Sequence, residues 1–222
     1  MKVTLIVALT VILTAGLVQA TILPPSGSPP VSPDILTTPA VAPFVGNTSG
    51  IFTGKNALGQ TTITGEYDEA VIADSSNVFC SGCLDFFIFV QNDSTSTDSV
   101  ARITLASFGS FLADVGYTIG PGGNPAGVIP STVDRSSSGS VIGFNFNTPN
   151  GVNPGQQTQE LEIETNAKSI VTGTIQFIDS SVASVPGFAP SGVPEPGSMS
   201  LALLGTALLG LGLTRRRRTG KI

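Results

Sequence analysis

The segment LDFFIFV, which runs from Leu84 to Val90, is the stretch that decides the fold class. Six of its seven residues are apolar, so both faces of an extended segment would be covered with apolar side chains. A short apolar run of this kind is typical of a strand that is packed on both sides. We therefore predict that this segment is a central strand of a packed β domain.

Neighbouring segments alternate polar and apolar residues with a period of two. In SVIGFNFN (140–147), Ile142, Phe144 and Phe146 fall on one face, and in ELEIE (160–164) charged and apolar residues alternate without a break. This alternation predicts strands with one solvent-exposed face. Further strands are predicted at 61–73, 100–108 and 169–178.

Turn sequences rich in Gly and Pro separate the predicted strands. They are PGGNP (121–125), TPNG (148–151) and NPG (153–155). No apolar stretch between them has an uninterrupted helical period. The pattern predicts an all-β fold, an antiparallel β-sandwich of jelly-roll or immunoglobulin-like type. We place this domain at 46–185.

The N-terminus has the composition of a secretory signal peptide. Lys2 is followed by an apolar run from 3 to 18, and Ala20 closes a Val-Gln-Ala sequence with small residues at the two positions that a signal peptidase reads. We predict a signal peptide at 1–20, cleaved between Ala20 and Thr21. The alternative is an uncleaved N-terminal anchor.

The C-terminus contains a second apolar segment. Residues 197–214 carry no formal charge, and eighteen residues in a helix extend about 27 Å. A hydrocarbon core is about 30 Å thick, so the segment is just long enough for a transmembrane helix. The cluster Arg215, Arg216, Arg217 and Arg218 is a stop-transfer signal that keeps a basic tail (215–222) in the cytoplasm.

Two stretches rich in proline flank the predicted domain. Seven prolines lie between residues 24 and 43, with Ser, Thr and Gly among them. Such a composition favours extended segments that bury no core. We predict a Pro-rich linker at 21–45 and a spacer at 186–196.

The charge of the chain is divided between an acidic body and basic ends. All 15 acidic residues lie between Asp34 and Glu195, where there are four basic residues, so this part has a net charge of −11. An acidic body repels the phosphate backbone of nucleic acids. The composition therefore excludes a nucleic-acid-binding function for the domain.

The short motif before the C-terminal apolar segment has two interpretations. Its residues are Val193, Pro194, Glu195 and Pro196. In the simpler interpretation, the two prolines keep the segment extended, because a residue that precedes Pro avoids the helical region. However, the order of VPEP, an apolar helix and an arginine cluster resembles the PEP-CTERM sorting signal of Gram-negative bacteria.

This resemblance implies processing by an exosortase, a multi-pass membrane cysteine transpeptidase. The exosortase cuts near Pro-Glu-Pro, and it releases the body or transfers it to the cell surface after a transient stay in the inner membrane. Such proteins are typical of bacteria that make exopolysaccharide and biofilm matrix, so exopolysaccharide is a second implied partner. The predicted location is the cell surface or the extracellular matrix.

Parts of the body are similar to a group of uncharacterised PEP-CTERM proteins. The similar sequences are FCSGCLDF (79–86), RIT (102–104) and DVGY (114–117). The group shares a Cys-x-x-Cys and an Asp-Val-Gly-Tyr sequence. This resemblance implies no known activity.

Cys80 and Cys83 are the two cysteines of the chain. A redox pair would have its first cysteine at a helix N-terminus, whereas this pair leads into a predicted strand. A structural zinc site needs four ligands, and the chain has neither His nor further Cys. In an exported protein a disulfide is the favoured interpretation. Free thiols and redox activity are the alternatives.

The sequence offers little for catalysis. Without His, no Ser-His-Asp or Cys-His arrangement exists. Paired carboxylates could hydrolyse glycosides, and Glu66, Asp68 and Glu69 form the densest acidic trio. However, Glu66 and Asp68 share one strand face, as residues of a solvated rim do. We predict no enzymatic activity and no cofactor.

A calcium site is a weak candidate in the loop NDSTSTD (92–98). Asp93 and Asp98 would supply hard oxygen ligands, but the loop lacks the spacing and the Gly of an EF-hand. A solvated hairpin loop is the favoured interpretation. The leading hypothesis is thus a non-enzymatic structural protein of the surface or matrix. The alternative is a calcium-assisted carbohydrate-binding module.

Overall fold

The computed structural model describes residues 22–36, 42–119, 127–146 and 151–192. The predicted signal peptide with its cleavage site, the VPEP motif, the predicted transmembrane helix and the arginine cluster lie outside the described residues. Among the described residues, no helix has the length and apolar character needed to cross a membrane.

In the described ranges the chain forms thirteen strands and no helix. The strands are β1 (Ile22–Leu23), β2 (Ser28–Val31), β3 (Asp34–Leu36), β4 (Phe44–Lys55), β5 (Thr61–Asp74), β6 (Cys83–Asn92), β7 (Arg102–Ala106), β8 (Ala113–Thr118), β9 (Thr132–Arg135), β10 (Val141–Asn145), β11 (Glu160–Thr165), β12 (Ser169–Ile178) and β13 (Val182–Ser191). This confirms the all-β prediction. The apolar stretch that predicts a central strand lies within β6, which pairs with β5 and β11.

All strands belong to one hydrogen-bonded sheet. Its order is β1-β8-β11-β6-β5-β4-β13-β12-β7-β10-β9-β2, and β3 also pairs with β8. The pairs are antiparallel except for β3 with β8. The antiparallel fold is thus confirmed. Because one path of neighbours connects twelve of the thirteen strands, the division into the two separate sheets of a sandwich is not confirmed.

A turn brings the two end strands of the sheet close together. β1 and β2 are the two ends of the path, yet a single turn connects them, in which the Gly27 N–H donates to the Pro24 carbonyl at 3.0 Å. Elsewhere the path has a narrow seam, since β4 and β13 share one register pair, Val182 with Lys55. The sheet is therefore rolled. In the order of the path, one half runs from β1 to β4 and the other half runs from β13 to β2.

The structure differs from the prediction of a Pro-rich linker at 21–45. This range contains β1, β2, β3 and the beginning of β4. In β2 (SPPV), Ser28 and Val31 pair with β9 and the two prolines between them fall in an irregular register. Proline is accepted at such an edge because it has no N–H to donate to a ladder.

The predicted spacer at 186–196 also contains strand residues, since β13 continues to Ser191. Its residues Pro186 and Pro190 lie opposite Thr174 and Ile170 of β12. The other edge of β13 has little pairing with β4, so prolines cost few hydrogen bonds there.

Aromatic side chains fill the interior between the two halves. Phe52 stacks on Phe177 with ring centroids 4.0 Å apart. Phe86 of β6 meets Phe108, which follows β7 in the other half, edge to face at 5.3 Å. The Tyr67 hydroxyl donates to the Pro186 carbonyl at 2.9 Å. Such contacts combine large buried areas with defined geometry and fix the distance between the halves.

A buried arginine joins the ends of the sheet. Arg135 of β9 is 2% exposed. Its guanidinium donates to four backbone carbonyls: Leu23 and Gly139 at 2.7 Å, Phe108 at 2.9 Å and Gly109 at 3.2 Å. Leu23 belongs to β1, so one side chain connects the strand at one end of the path with a strand beside the other end.

Arg135→Lys will destabilise the protein far more than Arg102→Lys does. A lysine cannot reach all four carbonyls, and each buried polar group left unpaired costs about 1–3 kcal/mol, so we expect a loss of about 3 kcal/mol or more. Arg102 is the matched control, because it binds Asp134, the neighbour of Arg135, from a partly exposed position. Its replacement costs about 1 kcal/mol or less. Urea unfolding measures both; equal losses would contradict this assignment.

Candidate metal centre

The cysteine pair closes a short loop between β5 and β6. Cys80 and Cys83 are joined by a disulfide with their Cα atoms 5.3 Å apart, in agreement with the interpretation that the sequence favours. Gly82, at a φ of 75° that suits glycine, donates its N–H to the Asp74 carbonyl at 2.6 Å. We call residues 75–82 the cap loop.

Three carboxylates meet beneath the cap loop. Asp74 ends β5, Asp85 lies near the start of β6 and Glu164 lies near the end of β11. Each offers an oxygen within 4.8 Å of the other two. The strands are neighbours, and Glu164 is directly opposite Asp85, so their side chains share a face of the sheet. Their exposed fractions are 1%, 0% and 9%.

The cap loop gives one hydrogen-bond donor residue to each of these carboxylates. The backbone N–H and the hydroxyl of Ser76 both donate to Asp74 Oδ1 at 2.8 Å. Asn77 Nδ2 donates to Asp85 Oδ1 at 2.5 Å, and the Val78 N–H donates to Glu164. Three consecutive residues thus hold three carboxylates in place.

Asn77 also shapes the cap loop itself. Its Oδ1 accepts hydrogen bonds from the backbone N–H groups of Phe79 at 2.8 Å and Cys80 at 3.3 Å. Its Nδ2 makes a second bond, to the Thr165 carbonyl at 3.1 Å. The side chain therefore connects the disulfide, the acidic cluster and β11.

Some carboxylate oxygens of this region have no partner among the described residues. They are Asp85 Oδ2 and both oxygens of Glu162, and both residues are 0% exposed. Glu162 lies on β11 two residues before Glu164, on the same face. The described residues contain one salt bridge, between Arg102 and Asp134. No basic side chain among them therefore neutralises the acidic cluster.

Burial and mutual repulsion raise the pKa values of these acids. Burial is the main cause for each; repulsion from neighbouring acids adds to it. The pKa of Asp85 rises to about 8, that of Glu162 to about 9 and that of Glu164 to about 7. Close carboxylates cannot all be charged in a buried place unless a cation joins them.

The prediction of an exposed face for 160–164 is wrong for two of its acids. Glu162 and Glu164 are buried, because they point to the face that carries the acidic cluster and the cap loop covers Glu164. Glu160 is partly exposed and accepts a hydrogen bond from Thr118 at 3.0 Å.

The weak calcium candidates of the 92–98 loop lie elsewhere and do not form such a cluster. Asp93 Oδ1 accepts the Thr95 N–H at 2.9 Å, and this bond lowers the pKa of Asp93. Asp98 Oδ1 accepts the Ser99 N–H at 3.0 Å, and its other oxygen accepts the Ser180 hydroxyl. In the part of the chain that the structure describes, the group with suitable ligand spacing is Asp74, Asp85 and Glu164.

The acidic trio of β5 is divided between two faces. Glu66 and Asp68 are exposed on one face, as predicted for a solvated rim. Glu69 is 1% exposed on the opposite face, and its Oε2 accepts the Phe188 N–H of β13 at 2.7 Å. Burial raises the pKa of Glu69 from 4.5 to about 7, although the bond from Phe188 opposes this.

The sequence analysis missed the acidic cluster. Glu164 is distant in the chain from Asp74 and Asp85, so no local motif connects the three. One signal was present: Asp85 is the single polar residue of the apolar stretch LDFFIFV. An acid inside a strand that is packed on both sides must meet a donor or a cation.

The comparisons with known proteins find one match. The sequence profile described as the PEP-CTERM protein-sorting motif matches residues 192–218. The chain carries a PEP-CTERM sorting motif. This confirms the resemblance of the tail and implies an exported protein that an exosortase sorts to the cell surface or the extracellular space. Searches of curated proteins and of solved structures give no match. The similarity of the body to an uncharacterised PEP-CTERM group is not confirmed.

Glu69→Gln will change how stability depends on pH. Since the folded state holds the proton of Glu69 more tightly than the unfolded state does, the free energy of unfolding falls as pH rises from about 4.5 through about 7. The variant lacks this contribution. Its stability relative to the wild type will increase by as much as about 3 kcal/mol between pH 4 and pH 9.

Urea unfolding at several pH values measures this difference. Glu66→Gln is the control, because it removes an exposed carboxylate of the same strand and leaves the buried Glu69 in place. A constant difference between wild type and Glu69→Gln across this range would refute the prediction.

Proposed function

We propose that this protein is a non-enzymatic structural component of the cell surface or the extracellular matrix, associated with exopolysaccharide and biofilm. The observation that carries the proposal is the position of the sorting motif. The last strand ends at Ser191 and the motif begins at residue 192, with no further element between them. A cut near Pro194-Glu195-Pro196 then delivers the rolled sheet as one unit.

The described acids support a structural role over a catalytic one. Asp74, Asp85 and Glu164 lie beneath the cap loop and already accept hydrogen bonds from it. General acid–base chemistry on a bound substrate needs carboxyl groups that a substrate can reach. The chain also has no His that could serve as a base.

The delivery route that we propose has three steps. The signal peptide 1–20 starts export, and the apolar segment 197–214 holds the chain in the inner membrane with the cluster 215–218 in the cytoplasm. The exosortase then processes the chain at VPEP. Glu195 is the single charge between Asp179 and Arg215, so it offers one ionic contact just outside the bilayer.

Replacing both Pro194 and Glu195 with alanine will block processing. The variant loses the extended conformation that prolines favour and the one charge of the motif, so full-length protein will accumulate in the inner membrane. Immunoblots of cell fractions compare the full-length and the processed forms. Ser198→Ala, a small change just after VPEP, is the control and will be processed normally.

Changing all four arginines from 215 to 218 to glutamine will have a different effect. The apolar segment loses its stop and its orientation signal, so the chain will pass into the periplasm without processing.

If the double variant at Pro194 and Glu195 is processed like the wild type, VPEP is a spacer and the sorting proposal fails.

A second candidate function is a calcium-assisted carbohydrate-binding module. A cavity of about 220 Å³ favours it, because aromatic rings and polar groups that suit a sugar line it together. Its lining includes Phe44, Phe87, Phe89, Asn47, Asp68 and Glu160. Asp93 and Asp98, the calcium candidates of the sequence, do not line it.

If this second function is correct, Phe89→Ala will weaken polysaccharide binding at least about tenfold, since stacked rings contribute much of the contact area. Affinity electrophoresis in gels that contain acidic or neutral polysaccharides, with and without calcium, measures the binding. Ile51→Ala is the control, because Ile51 is an exposed apolar residue of β4 outside the cavity. Equal migration of the wild type with and without polysaccharide would exclude this function.

A further inference from the structure

We propose that Asp74, Asp85 and Glu164 bind one calcium ion beneath the cap loop. Their carboxylates come from three neighbouring strands and offer oxygens within 4.8 Å of one another. This spacing allows one ion to contact all three at the 2.3–2.6 Å typical of Ca²⁺–oxygen bonds, because two ligands of one ion lie up to about 5 Å apart. The site differs from the 92–98 loop and from the cavity of the second candidate function.

Glu162 is an independent observation that points to a cation. It is 0% exposed, and neither of its carboxylate oxygens has a partner among the described residues. The acids that act on it most are Asp85 and Glu164, and it lies on the same face of β11 as Glu164, next to the cluster. A buried carboxylate without a donor is costly, and a shared cation removes that cost.

The protein itself supplies no positive charge to this place. Of the four basic residues of the acidic body, Arg102 binds Asp134 and Arg135 binds backbone carbonyls. Lys55 and Lys168 are exposed. A bound cation would supply the positive charge that these side chains do not.

The ligand atoms favour calcium over other metals. All of them are carboxylate oxygens, which hard cations prefer, and the cluster contains no His or free Cys for zinc or copper. Magnesium usually keeps several waters in a near-ideal octahedron, whereas this site is closed by strands and the cap loop. Calcium accepts irregular sets of six to eight oxygens, so carboxylates at unequal distances suit it.

The cap loop orients the ligands in the manner of the outer shell of a metal site. Ser76, Asn77 and Val78 each donate to one carboxylate and leave its remaining lone pairs for the ion. The disulfide next to these donors limits the movement of the loop. Calcium therefore ties β5, β6 and β11 to the cap loop.

Thermal unfolding of the full-length protein, first stripped with EGTA, tests the proposal. We expect 5 mM CaCl₂ to raise the Tm by about 5 °C, with a Kd on the order of 10⁻⁴ M, as in extracellular calcium modules. The same concentration of MgCl₂ will give a smaller shift. Asp85→Asn and Glu164→Gln will abolish the calcium shift.

Two controls separate this site from the other acids. Glu66→Gln changes an exposed acid of the same strand as Asp74, and Asp98→Asn changes the 92–98 loop. Both will keep the calcium shift. A shift that Asp98→Asn removes and Asp85→Asn retains would overturn the proposal.

A measurement on the wild type alone serves if the cluster variants do not fold. Dithiothreitol reduces a disulfide by attack of its thiolate on a sulfur, so the rate depends on access to that sulfur. Because calcium holds the cap loop, reduction of the Cys80–Cys83 disulfide will be at least about threefold slower in calcium than in EGTA. Mass spectrometry after alkylation measures this rate. Equal reduction rates together with an unchanged Tm in calcium would overturn the proposal.

Discussion

The fold depends on the hydrogen bonds of one buried guanidinium. Arg135 binds carbonyls of β1, of the segment after β7 and of the turn before β10, which are distant in sequence and adjacent in space. A rolled sheet with open ends exposes unpaired backbone groups, and these attract foreign strands. Here the turn at 24–27 and Arg135 hold the two ends together. Asp134, the neighbour of Arg135, points to the other side and binds Arg102, so two successive residues serve the interior and the surface.

The two faces of the half from β1 to β4 carry different kinds of side chain. One face carries Phe86, Tyr67 and their neighbours into the common interior. The other face carries the acidic cluster and is buried where the cap loop covers it, whereas Glu69 lies on the interior face and binds Phe188. A sheet with an aromatic interior and an acidic outer layer explains how a strongly acidic chain still builds a core.

Much of the strand pattern could be predicted from the sequence, because a period of two and apolar runs are local signals. All six predicted strands exist, among them β5, β6 and β12. β4 and β13 escaped prediction, since β4 contains glycines and polar residues and β13 contains Pro186 and Pro190. They are strands because hairpin connections place them against β5 and β12, with which they form long antiparallel ladders. The acidic cluster could not be predicted, because strand register places Glu164 opposite Asp85 across 79 positions of sequence.

The hairpin of β12 and β13 also determines how the protein responds to mechanical load. Tension applied through the C-terminal tail enters the sheet at Ser191, whose partner is Ser169. The hydrogen-bonded pairs of the ladder then break one after another toward Ile178 and Val182. A pull along the strands would instead have to break many pairs at once. The weak seam between β13 and β4 adds little resistance. A body loaded through its C-terminal tail would therefore yield first at β13, the strand that leads to the sorting motif.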